Sequence, residues 1–353
     1  MIGTEFLKGQ GLGNQLFCYV TARCIAERRG CSFGTAGQEQ LAVNIHSKKG
    51  MYFMDIDLGE KADRIREGAK GVYRTYQEKE KRFYLADSRH DRERGCYVAG
   101  ADEKLFTLPD NTLIYGNMQD ESYFGQYREE IRQWLRVRPE YDTYEFTRDN
   151  LCILNVRGGE YTGHPELYLQ RGYWFKGMKN MRKIRQDMEF IIVTDDPEAA
   201  GKLLPGIPIY HSDLDKDYCM LKNARYLLLS NSSFAFFPAY TSETLQFAIA
   251  PKYWARHNVS DGYWASEQNI YSIFHYQDRS GRLFTPQECR EELEEYKKKS
   301  AKYRKPGKKA EGIKKGCWIL YSKWLYGIFY VKKISYSLLR RAGYKVPYAG
   351  SGR

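Results

Sequence analysis

"LCILNVRGGEYTGHP", residues 151 to 165, runs a six-residue apolar segment straight into an arginine, two glycines and a glutamate. An apolar run of that length with turn residues behind it is a strand buried on both faces, the kind that parallel sheets contain. Four more runs of strand length and composition follow: FIIVT at 190 to 194, IPIY at 207 to 210, YLLL at 226 to 229 and FAIA at 247 to 250. Between them lie stretches of helical length, at 164 to 183, 197 to 204, 217 to 225 and 233 to 246. Strands alternating with helices predict a doubly wound parallel sheet with helices on both faces. Ligands of such sheets sit beyond the carboxyl ends of the strands, which directs attention to the residues that follow each run.

Those residues carry chemistry. The first strand holds Asn155 and is followed by Arg157, Gly158, Gly159 and Glu160; the second is followed by Asp195 and Asp196; the fourth by Asn231, Ser232, Ser233 and Phe234. A guanidinium grips a phosphate, and hydroxyls with free N–H groups at a helix start offer a second phosphate contact. Carboxylates accept from ribose, base or sugar hydroxyls. Together they describe a nucleotide diphosphate site. Singly each has an ordinary structural role, with Arg157 in a surface ion pair, Asp196 before Pro197 as a helix cap, and Ser232 as an N-cap. Because the Asp195-Asp196-Pro197 run reads as a cap, no metal is predicted.

Near the N-terminus, "KGQGLGNQLFCYVTARCIAERRG" (8 to 30) places Gly9, Gly11 and Gly13 at alternate positions. A dinucleotide fingerprint counted from Gly9 requires a sixth-position glycine and finds Asn14, with room for only one short strand (2 to 7) ahead of it. No acidic residue ending a second strand stands about 20 residues on, which argues against a dehydrogenase. What remains is a glycine turn, Asn14 as N-cap, and a helix with Leu16, Val20 and Cys24 on one face beside Phe17 and Ile25. Such a helix start either holds an anion or simply packs.

The chain of 353 residues, 42% hydrophobic and 15% aromatic, is long enough for two domains with substantial cores. Its eight cysteines form no C-x-x-C pair and several sit in apolar segments, so reduced, buried thiols in a reducing compartment are expected. No N-terminal leader is expected, and the Asn-x-Ser sites at Asn231 and Asn258 are then not glycosylated. The net charge of +12 is unevenly placed: residues 297 to 353 hold 17 Lys and Arg against one acid, Glu311, which leaves −4 on the other 296 residues. A nucleic-acid groove in the globular part is therefore not expected. The apolar run from Cys317 to Val331 is 15 residues long and contains Lys323, too short to span a bilayer. Aromatic residues among cations predict instead a helical tail lying on an anionic membrane surface through residues 297 to 345, the alternative being a helix docked on its own domain.

Four segments, taken in order, resemble the bacterial α-1,2-fucosyltransferases of glycosyltransferase family 11: GLGNQLFCYVTARCIAERRG, LIYGNMQDESYF (113 to 124), LNVRGGEY (154 to 161), and VTDDPEAA with DYCMLKNARYLLLSNSSFAFFPAY (193 to 240). The resemblance spans roughly residues 1 to 250 and implies a GT-B-like fold, two Rossmann-type domains facing a cleft, with GDP-fucose as donor, inversion at the anomeric carbon and no metal. The domains would be 1–150 on the acceptor side, 151–296 for the nucleotide sugar, and 297–353 as the basic tail. Gly11, Gly13 and Asn14 would face the donor diphosphate or the acceptor across the cleft. Arg157 would stabilise the leaving β-phosphate and Glu160 is the nearest carboxylate for the acceptor hydroxyl. Asn155, Asp195, Asp196, Asn231, Ser232, Ser233 and Phe234 would complete the donor site. The third segment departs from the family's His-x-Arg-Arg-Gly-Asp-Tyr: Asn155 replaces the histidine, Gly158 the second arginine and Glu160 the aspartate. The expected activity is transfer of fucose to an oligosaccharide or lipid-linked glycan in surface polysaccharide synthesis, at the cytoplasmic face of the cell membrane. The altered motif keeps two alternatives open, transfer from a different nucleotide sugar and a non-catalytic GDP- or glycan-binding relative.

Overall fold

The structure is a computed structural model that describes residues 1–44, 47–62, 73–79, 100–164, 167–252, 254 and 267–299, with isolated positions between 320 and 342. Most of the predicted basic tail, Asn258, Cys96 and Cys317 lie outside the described residues.

Two parallel sheets organise the chain. The first contains β1 (Ile2–Glu5), β2 (Phe33–Ala36), β3 (Glu60–Lys61), β4 (Arg74–Gln77) and β5 (Thr112–Tyr115) in the order β3-β2-β1-β5-β4, every pair parallel. Between β1 and β2 runs α1 (Leu12–Arg29), and α2 (Arg128–Trp134) follows β5. The second sheet begins at β6 (Leu151–Val156) and continues through α3 (Arg171–Ile184), β7 (Glu189–Thr194), α4 (Pro197–Leu203), β8 (Ile209–Tyr210), α5 (Leu214–Lys222), β9 (Tyr226–Leu229), α6 (Phe236–Thr241) and β10 (Phe247–Pro251). A hairpin of β11 (His275–Gln277) and β12 (Leu283–Phe284) closes its edge, and α7 (Pro286–Lys299) follows, running through position 296. The strand order β12-β11-β10-β9-β6-β7-β8 reverses direction between β6 and β9, the crevice where doubly wound sheets bind ligands. The chain is thus an α/β protein with two sheets of mainly parallel strands facing a cleft, a GT-B-like architecture.

The sequence pattern explains most of this. β6 and β9 are buried at every position and occupy the runs expected of them. β8 is shorter than its apolar run, because Pro208 lacks an amide to donate. The first strand ends at Glu5, not residue 7, and the helix expected at 233 to 246 is a 3-10 turn (Ser233–Ala235) followed by α6. It stops because Ser242 turns extended (ψ 138°) and its hydroxyl accepts from the Thr244 and Leu245 amides.

α1 is the hinge pin of the core. Its first-turn cap is Gly11 rather than Asn14, which lies inside the helix and accepts from Gln119 Nε2 at 3.2 Å. Thirteen of its eighteen residues are buried, since one face packs on the first sheet and another on α6. Phe17 stacks on Phe236 (4.7 Å between ring centroids) and tilts against Phe237 (4.8 Å), while Phe236 in turn meets Tyr271 at 4.2 Å. Aromatic pairs of this kind contribute about 0.5–1.5 kcal/mol each beyond area burial, so the buried rings strengthen the seam between the two sheets. The described cysteines are all free thiols, five of them buried.

Candidate functional site

A cavity of about 580 Å³ opens between the glycine turn of the first sheet and the carboxyl edge of the second. Its volume is in the range of a small-molecule site. The turn after β1 supplies Gly9 to Asn14; β6 supplies Asn155, Val156, Arg157, Glu160 and Tyr161; the β9 side supplies Ser232, Ser233 and Phe234. Of the expected site residues, Gly13, Asn14, Asn155, Arg157, Glu160, Asp195, Ser232, Ser233 and Phe234 line this one cavity.

Asp196 and Asn231 do not line it. The Asp196 carboxylate caps α4, accepting from Ala199 N at 3.0 Å, and also accepts from Gly159 N at 3.1 Å, so the cap that Pro197 announces is what forms. Asn231 is buried and donates to the Leu167 carbonyl at 3.1 Å, holding the chain after β6 against the chain after β9.

The loop after β6 is built around its charges. Arg157 sits at the strand-order reversal, with Nη1 2.5 Å from Asp195 Oδ2 and Nη2 donating to Glu160 Oε1 at 2.6 Å. Burial opposes its charge, yet Asp195 and Glu160 together hold the guanidinium pKa above its ordinary value. Asp195 also accepts from Gly158 N at 2.7 Å, which ties the loop after β6 to the end of β7. Gly158 is required by this closeness: a Cβ there would lie 2.4 Å from Asp196 Cβ. Gly159 has φ +49°, and a Cβ would lie 2.9 Å from Asp195 Oδ2. An arginine at 158 is therefore sterically excluded from this backbone, a physical account of the altered motif. Asn155 is buried and accepts from Ser230 Oγ at 3.2 Å.

Gly13 marks the other wall. A Cβ on it would fall 2.2 Å from Ser233 C and 2.3 Å from its carbonyl oxygen. Only glycine lets the start of α1 press against the Ser233–Phe234 backbone, and so brings the first-turn amides of α1 to the cavity beside Arg157. Amides of a first helical turn lack intrahelical acceptors and carry the positive end of the helix dipole.

The far end of the cavity holds residues that the sequence reading passed over: His211, Ser212, Leu214 and Asp217. They follow β8, so inspecting the end of that strand as the others were inspected would have found His211. Asp217 lies in the first turn of α5, 9% exposed, accepting from Ser212 N at 3.1 Å with His211 Nδ1 3.8 Å away. Burial, opposed by the Ser212 amide and reinforced by Asp215, Asp213 and Asp195, pushes its pKa up to about 7. The edge order β8-β7-β6-β9 spreads the cavity over three strand spacings, roughly 14 Å. One end thus presents a buried carboxylate and an imidazole, the other a guanidinium and converging amides.

No known family's sequence pattern matches the chain, and no curated protein matches it by sequence. Among solved structures it is similar to NodZ alpha-1,6-fucosyltransferase soaked with GDP-fucose, at 12% identity and TM-score 0.38, over 68% of this chain and 92% of that one. The same enzyme co-crystallized with GDP gives 12% identity and TM-score 0.39, over 67% and 91%. Fucosyltransferase NodZ from Bradyrhizobium gives 12% and 0.38, over 68% and 93%.

Proposed function

We propose that the chain is an inverting, metal-independent glycosyltransferase that moves fucose from GDP-fucose to a glycan hydroxyl, in particular a galactoside α-1,2-fucosyltransferase of surface polysaccharide synthesis. The observation that carries this reading is Arg157 at the crevice between β6 and β9, beside the first turn of α1. A diphosphate placed there has a cation and fixed N–H donors on its leaving oxygen. Transfer through an oxocarbenium-like state needs that stabilisation as the bond from the anomeric carbon to the β-phosphate oxygen breaks. The acceptor oxygen forms the new bond and its proton goes to a carboxylate. Glu160 takes that role: the diphosphate replaces it on Arg157 and leaves its oxygen available. The nucleoside lies toward β8, where ionised Asp217 accepts from the N1–H and 2-amino groups of guanine. Adenine and uracil do not offer that donor pair. Fucose as the sugar, and the linkage, rest on the order of the four sequence segments.

The tail brings the enzyme to an anionic, inner membrane face where lipid-linked acceptors lie. Its described positions Leu320, Trp324, Val331, Ile334 and Leu338 are exposed and fall within one stripe at helical spacing. Among the described residues no helix is long and apolar enough to cross a membrane.

The test is GDP release from GDP-fucose with β-galactoside acceptors, wild type beside Arg157→Ala. Acceptor-dependent release that falls about 10²–10³-fold in the variant is the expected result. Release only from another GDP-sugar would transfer the assignment to that sugar, a reading favoured by the single cation that the Gly158 backbone permits. A melting temperature raised by GDP with no turnover of any donor would make the chain a binding protein.

A further inference from the structure

A second feature lies on the opposite side of the second sheet from α1. There α3 covers β6, β7 and β9 through Trp174, Met178 and Met181, and its outward face carries Lys176, Lys179, Arg182 and Lys183, all exposed. Lys176 donates to the Arg279 carbonyl and Lys183 to Asn180, while Arg182 lies over the Phe190 ring at 4.9 Å. None of the four pairs with a carboxylate among the described residues. Alongside runs a groove of about 1030 Å³, floored by Met178, Phe190, Leu204 and Ile207, with Phe175 (48% exposed) and Tyr210 (37% exposed) at its rim. Among the described residues the single acid lining it, Glu189, is paired with Arg148 at 3.1 Å.

We infer that this face docks on an anionic phospholipid surface, with Phe175 and the groove taking apolar chain and the α3 cations taking headgroup phosphates. Three observations select that partner. Outside the tail the chain carries net −4, so four unpaired cations on one helix face are a segregated patch rather than general background. The groove between them is apolar, which suits a lipid better than a soluble polyanion. The tail, with 17 cations against one acid, has the same sign as the rim and is repelled from it. Long cationic side chains around an apolar centre keep their heads at the phosphates while their stems cover hydrocarbon. The face points away from the cleft, so docking leaves the proposed site open. This inference does not rest on the transferase reading.

The experiment is cosedimentation of the full chain with phosphatidylcholine vesicles, with and without phosphatidylglycerol. Wild type is compared with Lys176→Glu/Lys179→Glu/Arg182→Glu and with Phe175→Ser. Each cation near an anionic surface contributes about a fivefold factor, so removing three costs roughly 100-fold and the triple variant, which also adds three carboxylates, should bind phosphatidylglycerol vesicles at least that much more weakly. Phe175→Ser should lose about tenfold, and that loss should persist at high salt. Unchanged melting temperature and unchanged GDP response would show both variants folded with the cleft intact. Vesicle binding by the triple variant equal to wild type would overturn the inference and leave the tail as the whole membrane contact. It would also be overturned by no wild-type binding to anionic vesicles, or by a triple variant that loses heparin binding alone, which would reassign the face to a soluble polyanion.

Discussion

The two sheets turn their carboxyl edges toward one another with opposite chemistry on them. The first sheet's edge frames a cavity of about 280 Å³ with Glu5, Gln77, Glu78, Tyr115 and Asn117, and among the described residues no lysine or arginine lines it. Glu78 is buried there, its pKa raised by burial against the pull of the Met118 amide, the Tyr123 hydroxyl and the Asn117 amide, the last three all donating to it. The second sheet's edge carries Arg157 and the amide turns, and Gln10 lines both cavities. An edge of carboxylates and amides suits a neutral polyol whose hydroxyls donate. An edge with a guanidinium and free N–H groups suits an anion. On the proposed reading, the edge that suits an anion takes the charged donor and the edge that suits a polyol takes the uncharged acceptor.

The comparison breaks most visibly at Asp217. Asp217→Asn removes the acceptor pair proposed for guanine and should weaken GDP about 100-fold, with UDP affinity nearly unchanged, by calorimetry. Equal loss for both nucleotides would remove the base-reading role. The pH dependence has a definite sign. Guanine binds the ionised form of a carboxylate titrating at about 7, so GDP affinity should rise as pH rises toward 7 and level off above it. Without ligand, a raised carboxyl pKa makes the folded state the stronger proton binder between the ordinary 3.8 and about 7. Unliganded stability should therefore fall across that window by at most about 4 kcal/mol. Asp217→Asn should flatten both profiles.

Next comes the contact that holds the two edges in register. Gly13→Ala drives a methyl into the Ser233 backbone, which lies inside contact distance and cannot rotate away. Overpacking of this kind costs about 1–3 kcal/mol, read as a lower melting temperature. Because the same shift separates the α1 amides from Arg157, GDP affinity should fall with it. A variant as stable as wild type would show that the two edges are not held by this contact.

How much of this is legible in the sequence differs between the edges for a physical reason. Strands 151 to 156 and 226 to 229 are buried on both faces, so they read as continuous apolar runs and their following residues, Arg157 and Ser232, were found. β11 and β12 are three and two residues long at the sheet's rim and carry no such run. Asp217 belongs to the site because the first turn of α5, about seven residues past the end of β8, folds back so that its carboxylate meets Ser212 N, a return that the residues directly behind the strand do not announce. The role of Gly13 is likewise a distance across 220 residues of chain, visible beforehand only as one glycine of a turn. The first sheet's cavity was the least legible. Glu5, Glu78 and Tyr115 come from three separate strands or their ends; only Tyr115 lies in one of the four quoted segments, and nothing in that segment points to the other two.

That cavity supplies the smallest effect and the sharpest test of the opposition between the edges. Tyr115 donates to Glu5 Oε2 at 2.5 Å, fixing a carboxylate that borders the space next to Gln10. Glu5→Gln keeps the size and loses the charge, so acceptor hydroxyls exchange a charge-assisted bond for a neutral one. That difference is about 1 kcal/mol, a fivefold rise in acceptor KM. The donor KM should not move, because Glu5 borders the first cavity and not the second. If the donor KM rises instead, the two cavities are one continuous donor site. The acceptor must then approach from the solvent side of Glu160, which is 54% exposed.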